Sequence, residues 1–150
     1  MEIRSAGGSV RKDDRMPHGT PQVLLVDDDR MSVLMMARVA SRLGCHCVTA
    51  RSGATAFREF VRHRFDLVVT DLNMPGGDGA VLARRVRSRS GVPVLLTTAM
   101  DEASIEASGL DVLGGVQVLR KPYAPARLRE AIESALAAPV QPLMASLESA

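Results

Sequence analysis

Short apolar runs alternate with stretches of helical periodicity along this chain. Residues 22–26 (QVLLV) form a continuous apolar run, as a strand buried on both faces requires. Residues 30–43 then set Val33, Leu34, Ala37, Ala40 and Leu43 at helical spacing, with Gly44 placed to cap the C-terminus. A second strand is expected over 47–50. After it comes a helix capped by Ser52 that runs to about residue 63, with Ala56, Phe57, Phe60 and Val61 as its buried stripe. Residues 66–70 (DLVVT) predict a third strand and 93–97 (PVLLT) a fourth, with a Pro- and Gly-containing loop at 73–77 and a helix at 78–88 between them. A helix over 101–110, a strand over 116–120 and a last helix from Pro125 to about 138 complete the series.

Five apolar runs alternating with five helices call for right-handed crossovers and a doubly wound parallel sheet covered on both faces, an α/β fold. Residues 1–20 are polar, contain Gly and lack periodicity, and read as a flexible N-terminal tail. The folded domain is expected over 21–138. Pro139 and Pro142 stop the last helix, leaving 139–150 as a C-terminal tail or truncated linker.

Composition narrows the function classes. The 150 residues suit one domain, and 46% apolar content is enough for a core. No window approaches the roughly 18 uninterrupted apolar residues of a membrane span, and the N-terminus shows no apolar signal region. Two Cys make no disulfide framework, so a reducing, cytoplasmic setting is expected. A net charge of +2 gives no electrostatic argument for nucleic acid. Of the 19 basic residues only Lys12 and Lys121 are Lys, so the expected folded domain carries one, Lys121.

In an open parallel sheet the ligand site lies beyond the carboxyl ends of the strands. Asp27, Asp28 and Asp29 follow the first strand, and Asp71 follows the third. Thr97 and Thr98 follow the fourth, and Lys121 with Pro122 follows the fifth. Carboxylates gathered in one cleft repel one another, and a hard divalent cation such as Mg²⁺ relieves that repulsion. Beside such an ion Asp71 can stay ionised and attack a phosphoryl group, forming an acyl phosphate. Lys121 would then offset charge on the phosphoryl oxygens and Thr98 would donate to one of them. Plainer roles also exist: helix capping by Asp27 to Asp29, a turn at Asp71, a strand-end hydroxyl at Thr98, a loop at Lys121.

The segments VLLVDDD (23–29), DLVVTDLNMPGGDG (66–79), PVLLTTA (93–99) and VLRKPY (118–123) together resemble the receiver domain of two-component response regulators, the CheY-like superfamily. The resemblance covers about 21–138. It implies a flavodoxin-like fold with strand order 2-1-3-4-5 and five helices. It also implies a phosphoacceptor at Asp71, fed from the phosphohistidine of a sensor histidine kinase or a histidine phosphotransfer protein in a phosphorelay. The implied Mg²⁺ ligands are Asp28, Asp71 and the backbone carbonyl of Asn73, with Asp27 reaching the ion through water. Thr98 and Lys121 would bind the phosphoryl oxygens, and Pro75 would shape the loop beside the acceptor.

Such a domain is not an enzyme acting on an external substrate. It is a phosphoacceptor that assists its own phosphorylation and dephosphorylation and so alters binding to a downstream effector. A homodimer through helix four, strand five and helix five is one form this takes, with no direct role for nucleic acid or membrane. The stretch after Pro139 is too short for an output domain, so the chain reads either as a stand-alone receiver or as a piece of a longer regulator. Where many receivers carry an aromatic three residues before the Lys, this chain has Val118, so the usual coupling of Thr to an aromatic is in question. Tyr123 reads as a packing residue. Asn73 and Met100 fall at the positions that tune acyl-phosphate lifetime in the family, and an apolar Met100, unable to orient water, implies a long-lived phosphoform.

Two other readings compete. A haloacid-dehalogenase-type phosphatase with Asp27 as nucleophile would use the D-x-D within 27–29, but no acidic pair follows Lys121. A pseudo-receiver would bind partners without phosphate. Cys45, His46 and Cys47 lack the further ligands a zinc site needs and read as core packing or a solvent-facing His. Arg84, Arg85, Arg87 and Arg89 read as a solvated helix face, and Met31, Met35 and Met36 as mostly core.

Overall fold

The computed structural model describes residues 3–5 and 19–138, apart from the side chains of residues 3–5, 77 and 78. The strands are β1 (Ile3–Ser5), β2 (Gln22–Val26), β3 (His46–Ala50), β4 (Leu67–Asp71), β5 (Val94–Thr98) and β6 (Val116–Arg120). The helices are α1 (Arg30–Arg42), α2 (Gly53–Arg62), α3 (Asp78–Arg89), α4 (Glu102–Ser108) and α5 (Pro125–Ala137), with a 3₁₀ turn at Pro75–Gly77. All pairings are parallel, in the order β1-β3-β2-β4-β5-β6. Counted from β2, the five long strands run 2-1-3-4-5, as the family resemblance implies.

The short strand β1 is an addition. It lies inside the stretch expected to be a flexible tail (1–20) and pairs Ile3 with Cys47 and Ser5 with Thr49. Without it β3 would present a row of unpaired amides and carbonyls at the sheet edge. Three residues are too few to show any periodicity, so the sequence carried no signal for this strand. The expected tail over 139–150 lies outside the described residues.

Central strands read as continuous apolar runs because both faces are covered. Val23, Leu25, Leu67, Val69 and Leu95 join a core with α1 and α5, while Leu24, Val26, Val68, Val94 and Leu96 join a second core with α2 and α3. The helix starts follow their capping side chains. Asp29 accepts from Ser32 N at the head of α1, Ser52 from Thr55 N at α2, and Asp101 from Ser104 N at α4. Gly44 takes a left-handed φ of 84° just past α1, which only glycine adopts without strain.

Some side chains depart from expectation. The buried stripe of α1 is Val33, Met36, Ala37, Val39 and Ala40, and Leu34, about 100° round the helix from Val33, is exposed. Met31 is exposed too, so of the three methionines Met36 alone is fully buried. On α2 Phe57 and Phe60 are half-buried, Val61 is exposed, and Glu59 takes a buried position beside His63. His46 does not face solvent: it is buried with Cys45 and Cys47.

The arginine cluster is not a free basic face. Arg87 is wholly buried, its guanidinium donating to the carbonyls of Gly114 at 2.6 Å, Val92 at 2.8 Å and Ser90 at 3.4 Å. A Cβ on Gly115 would stand 2.5 Å from the guanidinium carbon. Arg85 and Arg89 lie over the Phe57 ring, and Arg84 donates to the Ser108 carbonyl. All four arginines thus join α3 to its neighbours: Arg84 to the end of α4, Arg85 and Arg89 to α2, and Arg87, from the interior, to the flanking loops.

Candidate functional site

Parallel pairing brings the carboxyl ends of β2, β4, β5 and β6 to one rim. Val26 lies opposite Thr70, Asp71 opposite Thr97, and Thr98 opposite Arg120. The next residue on each chain therefore projects over the sheet edge. Backbone bonds tie these ends together: Leu72 N–H donates to Thr97 O at 2.8 Å, and Lys121 N–H to Thr98 O at 2.6 Å. The Lys121–Pro122 peptide is cis.

Asp27, Asp28 and Asp71 meet there, each offering a carboxylate oxygen within 4.8 Å of the others. Asp27 and Asp71 are enclosed, 1% and 4% exposed, whereas Asp28 faces solvent. Lys121 Nζ stands 3.4 Å from Asp27 Oδ2 and 3.4 Å from Asp71 Oδ1. Asp27 Oδ1 accepts from Asp29 N–H at 2.9 Å, and Asp71 Oδ1 from Asn73 N–H at 3.3 Å. Arg51, which the sequence did not single out, donates to the Asp28 carbonyl at 3.1 Å and steadies the first acidic loop.

The electrostatics record the crowding. Burial pushes the Asp27 carboxyl above its ordinary value. The Asp29 N–H opposes that rise, Asp71 adds to it, and Lys121 pulls it back, with a net effect upward. For Lys121 burial is the largest single influence and acts downward, but Asp27 and Asp71 together outweigh it and leave the ammonium raised. One ammonium lies against two enclosed carboxylates, and the third acid of the cluster is open to water. This oxygen-only, electron-rich and partly solvated donor set fits a hard divalent cation that keeps part of its water shell.

The loop after β4 is shaped around the acceptor position. Pro75 opens the 3₁₀ turn on the surface, Gly76 takes a left-handed φ of 78°, and Met74 is buried beneath. A Cβ on Gly79 would fall on the Asp71 carbonyl oxygen and crowd Leu72, so α3 begins where it does only because residue 79 is glycine. The sequence registered that glycine as pattern without showing the close approach behind it.

Thr98 is fully buried, and its hydroxyl donates to Asn73 Oδ1 at 2.7 Å while accepting from Met100 N–H at 3.0 Å. Met100 is half-buried against the second core. Val118 also packs there, and Tyr123 packs against the first core, in keeping with a packing role. Every residue expected at the site thus lies at this rim or in the loops bordering it.

An open parallel α/β fold with an acid cluster and a single lysine at its carboxyl rim defines a class, the receiver-type signalling domains. The chain belongs to the response regulator receiver domain family, which it matches over residues 23–133. It is 32% identical over 114 residues to the sensory transduction protein RegX3 of Mycolicibacterium smegmatis, covering 76% of this chain and 50% of that protein. It is 32% identical over 146 residues to the virulence sensor protein BvgS of Bordetella pertussis, covering 89% of this chain and 11% of that one. The chain therefore spans half or less of the length of these curated relatives. Among solved structures, the chemotaxis response regulator CheY4 of Vibrio cholerae superposes with a TM-score of 0.70 at 27% identity, covering 77% of this chain and 98% of that one. The receiver domain of the Francisella response regulator 1452 gives 0.69 at 25% identity, covering 78% of this chain and 97% of that one. The chain is thus a receiver domain of two-component signalling, and no helix among its described residues is long and apolar enough to cross a membrane.

Proposed function

We infer that Asp71 is the phosphoacceptor of a Mg²⁺-dependent phosphorelay step. The observation that carries this is the placement of Asp71 at the end of β4, within 4.8 Å of Asp27 and Asp28 and 3.4 Å from Lys121. An Asp71 carboxylate oxygen forms a bond to phosphorus as the P–N bond of a phosphohistidine breaks. The bonding pair returns to the imidazole nitrogen, which takes a proton from solvent. Lys121 offsets charge on the arriving oxygens, and Thr98 donates to one of them once phosphate is in place. Asp28, Asp71 and the Asn73 carbonyl would hold Mg²⁺, with Asp27 reaching it through water. When bound, the ion supplies electrostatic stabilisation of the transferring phosphoryl oxygens.

The donor is a sensor histidine kinase or a histidine phosphotransfer protein in the cytoplasm. The acyl phosphate shifts a pre-existing equilibrium of the domain and changes its affinity for an effector, or for a second copy through α4, β6 and α5. The phosphatase reading is disfavoured because no acidic pair follows Lys121. The pseudo-receiver reading would need a missing acid, Thr or Lys, and all are present.

Incubation with acetyl phosphate, with and without Mg²⁺, tests the reading by intact mass. Wild type should gain one phosphoryl group only with the ion, and Asp71→Asn should gain none. Equal labelling of both proteins would refute the assignment.

A further inference from the structure

We propose that the Asn73 carboxamide oxygen is a built-in stand-in for a phosphoryl oxygen, and that phosphorylation works the switch by displacing it. The proposal rests on the reading of Asp71 as phosphoacceptor and deepens it, because it names what the phosphoryl group must evict.

Two donors converge on Asn73 Oδ1: the Thr98 hydroxyl at 2.7 Å and the Ala99 N–H at 3.4 Å. A backbone N–H only donates, so the atom it meets is the carboxamide oxygen and not its nitrogen. The Thr98 hydroxyl also accepts from Met100 N–H at 3.0 Å, which commits its single proton to Asn73. Thr98 is fully buried, so water does not compete for that proton, while Asn73 is exposed and has room to leave. The backbone N–H of Asn73 meanwhile meets Asp71 Oδ1 at 3.3 Å. One residue therefore touches the acceptor with its backbone and occupies the nearby hydroxyl and amide with its side chain.

A hydroxyl and an amide aimed at one oxygen, with no cation among the three groups, form a small anion-binding pair. A neutral carboxamide fills it adequately. An ionised phosphoryl oxygen fills it better, because hydrogen bonds to a charged acceptor are about twice as strong. The exchange is therefore favourable, and it opposes phosphate binding only by the loss of the Asn73 contacts. It also has a route outward. Met100 N–H is bonded to the same hydroxyl, which ties the loop between β5 and α4 to the exchange. Lys121 N–H on Thr98 O, at 2.6 Å, ties in the end of β6. This linkage runs through loop backbone and needs no aromatic at position 118, where the chain has Val118.

The test is an equilibrium titration with beryllofluoride, a phosphoryl analogue that does not turn over, in Mg²⁺, followed by amide NMR. Asn73→Ala removes the competing oxygen and should bind beryllofluoride about three- to tenfold more tightly, the factor that one neutral hydrogen bond corresponds to. Asn73→Asp keeps an acceptor there, now charged, and should bind it more weakly than wild type. In wild type, the Asn73 side-chain amide and the Ala99 and Met100 backbone amides should shift together on titration. Equal or weaker binding by Asn73→Ala, or an Asn73 side-chain amide that does not move on saturation of wild type, overturns the proposal. Asp71→Asn serves as the reference: if wild type binds no better than Asp71→Asn, the phosphoacceptor reading fails and the exchange falls with it.

Discussion

Lys121 Nζ stands 3.4 Å from Asp71 Oδ1, although the strands that carry the two residues are separated in the sheet by β5. Both strands end at the same level, and the lysine side chain spans the intervening strand to reach the acceptor. Asp27, at the end of the neighbouring strand β2, shares the same ammonium at 3.4 Å. A single cation thus serves two enclosed carboxylates, and the charge balance of the rim governs both its stability and its chemistry.

Without a divalent ion, the rim carries more negative charge than Lys121 offsets. The raised Asp27 carboxyl means that the folded state holds this proton more tightly than the unfolded chain does. The associated stability is present below the ordinary carboxyl value of 3.8 and is lost as pH rises through the folded value. Asp27→Asn should therefore raise Tm at neutral pH in EDTA, and its advantage should shrink as pH falls below 4. Added Mg²⁺ should stabilise wild type by about 2.7 kcal/mol at a hundred times its Kd. Asp28→Asn should respond far less, and thermal melts across pH and Mg²⁺ concentration read each effect.

Gly79→Ala would place a methyl group on the Asp71 carbonyl. The start of α3 must then move off β4, at a cost of about 2 kcal/mol or more. Urea unfolding should show that loss. Acetyl phosphate labelling should slow as well, because the displaced carbonyl belongs to the acceptor residue.

Arg87→Ala removes three hydrogen bonds to carbonyls from the interior. Buried acceptors left without partners predict a loss of about 3 kcal/mol or more by chemical denaturation. Arg87→Lys should recover only part of it, since one ammonium does not reproduce the planar fork. Phosphorylation of the protein that remains folded should be nearly normal, which separates this residue from the rim.

Burial pushes the Cys45 thiol up to about 11. The folded state retains this proton between the ordinary value of 9.0 and about 11, whereas the unfolded chain releases it. Stability should therefore fall as pH rises through that window. At pH 8 Cys45 is a neutral, enclosed thiol and should react with iodoacetamide far more slowly in native protein than in denaturant.

Much of this architecture was legible in the sequence because a strand covered on both faces has no alternative to a continuous apolar run. The acid, hydroxyl and lysine that close such runs are placed by chain order alone, so Asp27, Asp71, Thr98 and Lys121 could be assigned to one rim. What escaped depends on tertiary neighbours. Ile3–Ser5 pairs with a strand more than 40 residues away and has too few residues to show a period. Arg87 looks like its exposed neighbours until the Gly114 and Val92 carbonyls are brought to it. Asn73 was legible as a neighbour of the acceptor, but its hold on Thr98 exists only once β4 and β5 lie side by side.

The most direct test of the central claim is to locate the phosphoryl bond itself. Protein treated with acetyl phosphate and Mg²⁺ is trapped with borohydride, which reduces an aspartyl phosphate to homoserine, and its peptides are sequenced by mass spectrometry. The account predicts homoserine at position 71 and at no other acid of the rim. Homoserine at position 27 with residue 71 unmodified would contradict it.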